Sequence, residues 1–405
     1  MAAPGVDVVR LPLNNWVSAD SWAQPERQKR ISMSTVSTKP FFHADQVGSL
    51  LRPQNLLDAR LDWKAGKMSR ADLRTVEDEA IAGCVKMQED LGLDAVSDGE
   101  FRRENWWIDF ISAINGIEIS APDTDNAFQQ NPEHGGNYVP KNVLTTGKIG
   151  GGGTISVDDF DYLNRCTSKT GKVMIPSPSR IHFHGGRKAV SEEIYPSMDD
   201  FWSDIVALYQ AEIAALEDHG CQYIQIDDPV LTYSLDDHLR ANTVSIGEDP
   251  DKLPGLYGDV INACISKRRA DTQISIHLCR GNAQSQWIAE GSYDAMAEEL
   301  FPRVNVDAWF LEYDDKRSGG FEPLRFMPDG TKVVLGLITT KTGKMEDAGE
   351  IRSRIDQAAK VMPLENLALS PQCGFASIDI GNKIAFDAQS AELGVMLEIA
   401  ENIWG

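Results

Sequence analysis

From Phe41 onward, short runs of apolar, β-favouring residues alternate with longer segments whose apolar residues recur at helical spacing. The strand-like runs fall at residues 42–47, 93–97, 172–176, 222–226, 274–278, 307–311, 332–337 and 367–369. The clearest helical stripes are Leu73, Val76, Ala80, Ile81, Cys84, Val85 and Met87 within 70–91, and Phe201, Ile205, Leu208, Ile213 and Leu216 within 199–219. Gly220 follows the second of these as a C-cap. Further helices are expected near 254–268, 293–300, 347–361 and 387–404. Eight strands, most of them followed by a helix, predict an α/β fold of the (β/α)8 TIM-barrel type. A doubly wound open sheet is the alternative. No Gly-x-Gly-x-x-Gly fingerprint follows any strand, which disfavours its dinucleotide-binding form.

Two stretches break the alternation. Residues 1–38 carry Pro, Ser, Asn and Arg without an apolar period and read as a flexible N-terminal extension, leaving 39–405 as the barrel domain. The acids Asp7, Asp20 and Glu26 count against a mitochondrial transit peptide. Residues 106–153 read as an excursion after the second strand, with a hairpin around 142–149. Its Gly150-Gly151-Gly152-Gly153 run lacks the Gly-Lys-Ser/Thr that opens a helix in a phosphate loop, so a turn is expected.

Charge narrows the partners. A formal net charge of −22 over 405 residues disfavours nucleic acid and anionic membrane surfaces. No apolar run approaches the ~20 residues of a membrane span. The six cysteines lie far apart in a chain without a secretory signal, so reduced thiols and a cytoplasmic location are expected.

Polar chemistry collects at the ends of the expected strands. These read Gly48-Ser49, Asp98-Gly99-Glu100, Ser177-Pro178-Ser179, Asp227-Asp228-Pro229, His277-Leu278-Cys279, Glu312-Tyr313-Asp314, Thr339-Thr340-Lys341 and Gln372-Cys373-Gly374. In a barrel these positions share one rim, where catalytic groups gather. Residues i and i+2 of a strand point to one face, so His277 and Cys279 project together. Alone, such a pair reads as ordinary core. With Cys373 and Glu312 on neighbouring strand ends, it becomes a zinc set of two thiolates, an imidazole and a carboxylate. An acid such as Glu312 is as commonly a solvated or capping group. His182 and His184, just past the third strand, are candidate proton donors or plain loop residues. Arg280 and Asn282 would support the ligands or contact a substrate anion, as would Lys341 and Lys344.

Taken in order, Val47-Gly48-Ser49, Asp98-Gly99-Glu100, Gln225-Ile226-Asp227-Asp228-Pro229, His277-Leu278-Cys279, Glu312 and Gln372-Cys373-Gly374 resemble the cobalamin-independent methionine synthases and their single-domain relatives. The resemblance runs from residue 42 to 405 and implies a (β/α)8 barrel. It implies zinc held by His277, Cys279, Glu312 and Cys373. Gly48 and Ser49 would bind the carboxylate of an amino acid, and Glu100 and Asp227 its ammonium group. Asp227 and Asp228 stand as the catalytic acids of the family's Asp-Glu-Pro motif, here shortened by a methylene at Asp228. The implied reaction is zinc-dependent S-methylation of a small thiol, homocysteine, from a methyl-folate-type electrophilic donor. The long-form enzymes carry a second, N-terminal barrel that is missing here. The His-Leu-Cys-Arg-Gly-Asn and Gln-Cys-Gly-Phe-Ala-Ser wording resembles the short relatives, which include thiol transferases acting on epoxides. Such an enzyme, or a catalytically silent zinc-stabilised barrel, is the alternative function.

Overall fold

The computed structural model describes residues 39–121 and 141–405, so the expected extension over 1–38 lies outside the described residues. In chain order, the strands of the described residues are β1 (Ala95–Val96), β2 (Asn115–Ser120), β3 (Asn142–Gly150), β4 (Thr170–Pro176), β5 (Tyr223–Asp227), β6 (Gln273–Leu278), β7 (Ala308–Glu312), β8 (Lys332–Ile338) and β9 (Leu367–Pro371). Seven of them form a curled parallel sheet in the order β1-β4-β5-β6-β7-β8-β9. The crossovers carry the long helices Met198–Asp218, Leu253–Ile265 and Ala348–Ala358, and Phe386–Trp404 follows β9.

The expected first strand is reduced to one parallel bridge, Ala44 to Leu369. Around it, Leu369 N donates to His43 O (2.8 Å) and Asp45 N to Leu369 O (3.1 Å). On its other side Leu50 N reaches Gly99 O (3.1 Å), so the segment still spans the gap between β9 and the turn after β1. The ladder stops because side chains take the next carbonyls. Lys172 Nζ donates to Gln46 O (2.6 Å), Gln225 Nε2 to Val47 O (2.7 Å) and Ser97 Oγ to Gly48 O (2.6 Å). A carbonyl used in this way satisfies the backbone without a neighbouring strand.

Helix boundaries follow their caps. Ser69 Oγ accepts from Asp72 N at the start of Arg70–Leu91, and Gly92 closes that helix at φ 100°. Ser197 caps Met198–Asp218 in the same way. The helix expected over 293–300 is instead a 3-10 turn, Tyr293–Ala295, and one helical turn, Ala297–Leu300. Met296 between them lies at φ −127°, outside the helical range.

The hairpin is present, with β3 pairing antiparallel to β2, while the link between its arms lies outside the described residues. The glycine run that follows packs on Met198–Asp218, where a Cβ on Gly152 would sit 2.3 Å from Leu208 O. The anion at this turn is the chain's own Glu212, which accepts from Gly153 N, Ile155 N and Ser156 N. A phosphate role is thereby displaced.

One large apolar layer separates the sheet from its helices, and a small cluster of Val47, Phe310, Val334 and Ala368 fills the barrel interior. Strand register places Asp227 beside His277, His277 beside Phe310, Phe310 beside Val334 and Val334 beside Ala368. One interior row therefore runs from two polar groups into an apolar plug. Nearer the strand starts, buried Lys172 meets Asp45 (3.2 Å), and Tyr223 Oη donates to the same Asp45 oxygen (2.6 Å). No helix of the described residues is long and apolar enough to cross a membrane.

Candidate active site

β6 carries His277 and Cys279 onto the face shared with Asp227 of β5, and Cys373 arrives two residues past the end of β9. One donor atom from each of His277, Cys279 and Cys373 lies within 4.8 Å of the others, and the two sulfurs are 3.6 Å apart. All three residues are buried, both cysteines are free thiols, and neither ring nitrogen of His277 has a hydrogen-bond partner. A buried imidazole is seldom left so. Two thiols and an orphaned imidazole at this spacing fit a zinc-type ion. The hydrogen bond between the sulfurs, with the charge of nearby His277, holds the Cys373 thiol well below its ordinary pKa against burial, while the same contact and burial push Cys279 well above.

Glu312, the fourth residue expected as a ligand, is not drawn into this trio. Its Oε2 accepts from Arg280 N (2.6 Å), and its Oε1 takes Arg317 Nη2 (3.1 Å) and Lys341 Nζ (3.3 Å). Burial pushes its pKa up, but Lys341, Arg280 and Arg317 together bring it below the usual glutamate value.

The opposite wall holds the two acids of the expected amino-acid cradle. Glu100 sits in left-handed backbone at φ 59° after Gly99 at φ 68°. Arg52 stabilises this turn, its Nη2 donating to Glu100 O (2.8 Å) and Arg103 O (3.0 Å) and its Nη1 to Ala376 O (2.9 Å). One guanidinium thereby ties the loop carrying Glu100 to the loop carrying Cys373. Glu100 Oε1 accepts from Arg103 (3.0 Å), whereas Oε2 is buried without a partner. Burial raises its pKa to about 8 against the pull of Arg103, and Asp227 adds to the rise. Asp227, beside Gln225 Nε2 (2.7 Å), is raised to about 6 by burial. Ser49 lines the same cleft. Gly48 is held at φ 141°, where a Cβ would meet the Met174 side chain at 2.7 Å. Gly374 approaches so closely that its Cβ would lie 1.9 Å from Ser49 Oγ.

Asp228 is placed differently from its neighbour. Fully buried, it caps the helix Pro229–Tyr233 through Leu231 N and accepts from Ser177 Oγ (2.5 Å) and Ser179 Oγ (3.0 Å). It shapes the wall and does not line the cleft. His182 is likewise out of reach, bonded to Tyr257 Oη (3.0 Å) beneath the wall. His184 does line the cleft, and burial beside Arg180 keeps its pKa well below the ordinary value. Asn282 bridges Thr340 Oγ1 (2.7 Å) and Gly374 O (3.1 Å), and Lys344 is exposed.

The cleft, about 920 Å3 including its part open to solvent, has walls that the strand-end reasoning missed: Trp106, Trp107, Tyr233, Leu239, Ile288 and Ile378. The paired tryptophans directly after the Glu100 loop were the available signal. Arg180 stacks on Trp107 at 3.7 Å. The His277, Cys279 and Cys373 trio, flanked by acids, opens here onto an apolar, aromatic chamber, an arrangement suited to a small polar substrate and a flat or apolar second reactant.

Residues 42–402 match the family described as the cobalamin-independent synthase catalytic domain. The chain is 39% identical to the uncharacterized protein YxjG of Bacillus subtilis (strain 168), over 94% of this chain and 98% of that one. A Lactococcus lactis 5-methyltetrahydropteroyltriglutamate–homocysteine methyltransferase (strain MG1363) is 23% identical over 88% of this chain but only 43% of its own length. Among solved structures, a candidate vitamin-B12 independent methionine synthase from Listeria monocytogenes superposes with a TM-score of 0.72, at 32% identity, over 91% of this chain and 99% of that one.

Proposed function

The chain belongs to the cobalamin-independent synthase catalytic-domain family, and we propose that it is a zinc-dependent S-methyltransferase converting homocysteine to methionine. The observation that carries this reading is the buried His277–Cys279–Cys373 trio at the head of a cleft bounded by Glu100 and Asp227. These three residues would hold the zinc. When bound, it supplies a cation that keeps a substrate thiol deprotonated near neutral pH.

The remaining work falls to the chain's own groups. Ser49 and the backbone at Gly48 receive the amino-acid carboxylate, and Glu100 and Asp227 the ammonium group, whose charge Asp227 and the unpartnered Oε2 of Glu100 would stabilise. The substrate sulfur forms a bond to the donor methyl carbon as the bond from that carbon to its leaving nitrogen breaks. The leaving nitrogen takes up a proton from solvent at the open side of the cleft, while Asp227 stays with the ammonium group. Trp106, Trp107 and Tyr233 exclude water and offer faces on which a planar methyl-folate-type donor can stack. Asp228 acts through structure, holding Pro229–Tyr233 against Ser177 and Ser179.

Incubating the zinc-loaded protein with homocysteine and methylated folates of differing glutamate length tests the reading. Methionine formation is expected. Absence of methionine with every folate form would overturn the donor assignment.

A further inference from the structure

Resting on the homocysteine reading above, we propose that Gln225 selects the length of the thiol substrate, by locking the carboxylate and ammonium ends of the amino-acid cradle to one another through a single side-chain amide. Gln225 lies on β5 two residues before Asp227, so the two side chains share a face, and it is fully buried. Its Nε2 donates to Val47 O (2.7 Å) and to Asp227 Oδ1 (2.7 Å). Val47 immediately precedes Gly48 and Ser49, which receive the carboxylate, and Asp227 receives the ammonium group. Both amide hydrogens are thereby used, one for each end of the cradle. Chemistry fixes the orientation: a carbonyl and an ionised carboxylate only accept, so turning the amide over would set its oxygen against both. Its own Oε1 is left buried without a partner.

The carboxylate turn is held from several sides. Met174, beside Gln225 in the sheet, lies under Gly48. Lys172 Nζ holds Gln46 O, Ser97 Oγ holds Gly48 O, and Ser49 O accepts from Phe375 N (2.8 Å). Among these ties, Gln225 is the one that also reaches the acid across the cradle. Asp227 stands beside His277 in strand register, so a cradle locked to Asp227 keeps a set distance from His277, Cys279 and Cys373. With the amino-acid end and the sulfur end both fixed, the number of methylene groups between them is fixed as well. Homocysteine has two and cysteine one, and a one-methylene difference is worth about 10- to 200-fold in a well-fitted site. Gln225 does not line the cleft, so it is a positioning residue, acting through Ser49 and Asp227.

Equilibrium titrations of homocysteine and of cysteine test this on the zinc-loaded unaltered chain, Gln225→Met, Ser97→Ala, Ser49→Ala and the double variant at 225 and 49. The unaltered chain is expected to bind homocysteine at least about tenfold more tightly than cysteine. Gln225→Met keeps the side-chain length and removes the donor. It is expected to weaken homocysteine about tenfold and leave cysteine nearly unchanged, so that the ratio falls to within about threefold. In steady-state methyl transfer the loss appears in KM rather than kcat. In the Ser49→Ala background the same substitution is expected to cost homocysteine less than about threefold, because the two residues act as one unit. Ser97→Ala frees Gly48 O but spares the bond to Asp227, and is expected to lower the ratio about two- to threefold. A folded Gln225→Met chain that keeps the full ratio overturns the proposal, as does an equal loss for both thiols, the mark of a merely structural amide. Should urea melts show that Gln225→Met does not fold, an unchanged ratio in Ser97→Ala overturns it. An unaltered chain that binds the two thiols equally also overturns this inference alone. One that binds neither overturns the homocysteine reading and this inference with it, so the two failures are distinct.

Discussion

Two acidic walls face each other across the His277–Cys279–Cys373 trio, and their carboxylates are treated in opposite ways. On one side Glu100 keeps an oxygen without a partner, and burial raises Glu100 and its neighbour Asp227 to about 8 and about 6. On the other side Glu312 is equally buried yet ends below its ordinary pKa, because Lys341, Arg280 and Arg317 surround it. Burial alone therefore does not set the role of an acid. The difference lies in whether cations surround the buried carboxylate: Lys341, Arg280 and Arg317 do so at Glu312, whereas one oxygen of Glu100 is left unmatched.

The largest effect should come from breaking what lies between the walls. Cys279→Ala or Cys373→Ala is expected to abolish stoichiometric zinc uptake and to lower methyl transfer by at least ~1,000-fold, whereas Cys84→Ala, on a buried thiol outside the trio, keeps zinc uptake intact. Metal content by mass spectrometry and methionine production read both.

Removing the bridge that joins the two sides should come next. Arg52→Met removes the hydrogen bonds to Glu100 O, Arg103 O and Ala376 O, and is expected to cost about 2–4 kcal/mol in a urea melt.

The pH response of the underpaired wall sharpens the contrast. The folded pKa of Glu100 lies above its ordinary value, so the folded state binds the proton more tightly than the unfolded chain. Its contribution to stability is full below about 4.5 and is lost as pH rises through about 8. In zinc-free protein, Glu100→Gln should therefore gain stability relative to the unaltered chain between pH 6 and pH 9, visible as a rising difference in urea midpoints. A flat difference would mean that Glu100 is ionised throughout. The smallest effect is expected at Lys344→Ala, since this exposed lysine makes neither of the contacts of Lys341, and stability should stay within about 0.5 kcal/mol.

Much of this arrangement was legible in the residue pattern. Strand spacing and polar strand ends were enough for a curled parallel sheet with its chemistry at one rim, because the period of a buried strand and the loop geometry of a barrel are local rules. His277-x-Cys279 could be read in the same way, and Cys373 followed from the common rim. The ion pairs of Glu312 were not legible, since they depend on Arg317 and Lys341, five and 29 residues further on, whose side chains return to it only in three dimensions. The first strand was overread because Lys172, Gln225 and Ser97, all distant in sequence, take the carbonyls that a ladder would have used. Asp227 and Asp228 are adjacent and chemically identical, and only the turn into Pro229 decides that one lines the cleft while the other caps a helix. The apolar chamber stayed hidden because Trp106, Tyr233 and Ile378 come from loops with no common period.

Zinc-edge X-ray absorption on the loaded protein, before and after adding homocysteine, addresses the central reading most directly. Two sulfur ligands are expected without the thiol and three with it, matching Cys279, Cys373 and the incoming substrate. An unchanged sulfur count on saturation with homocysteine would contradict activation of the thiol at this site.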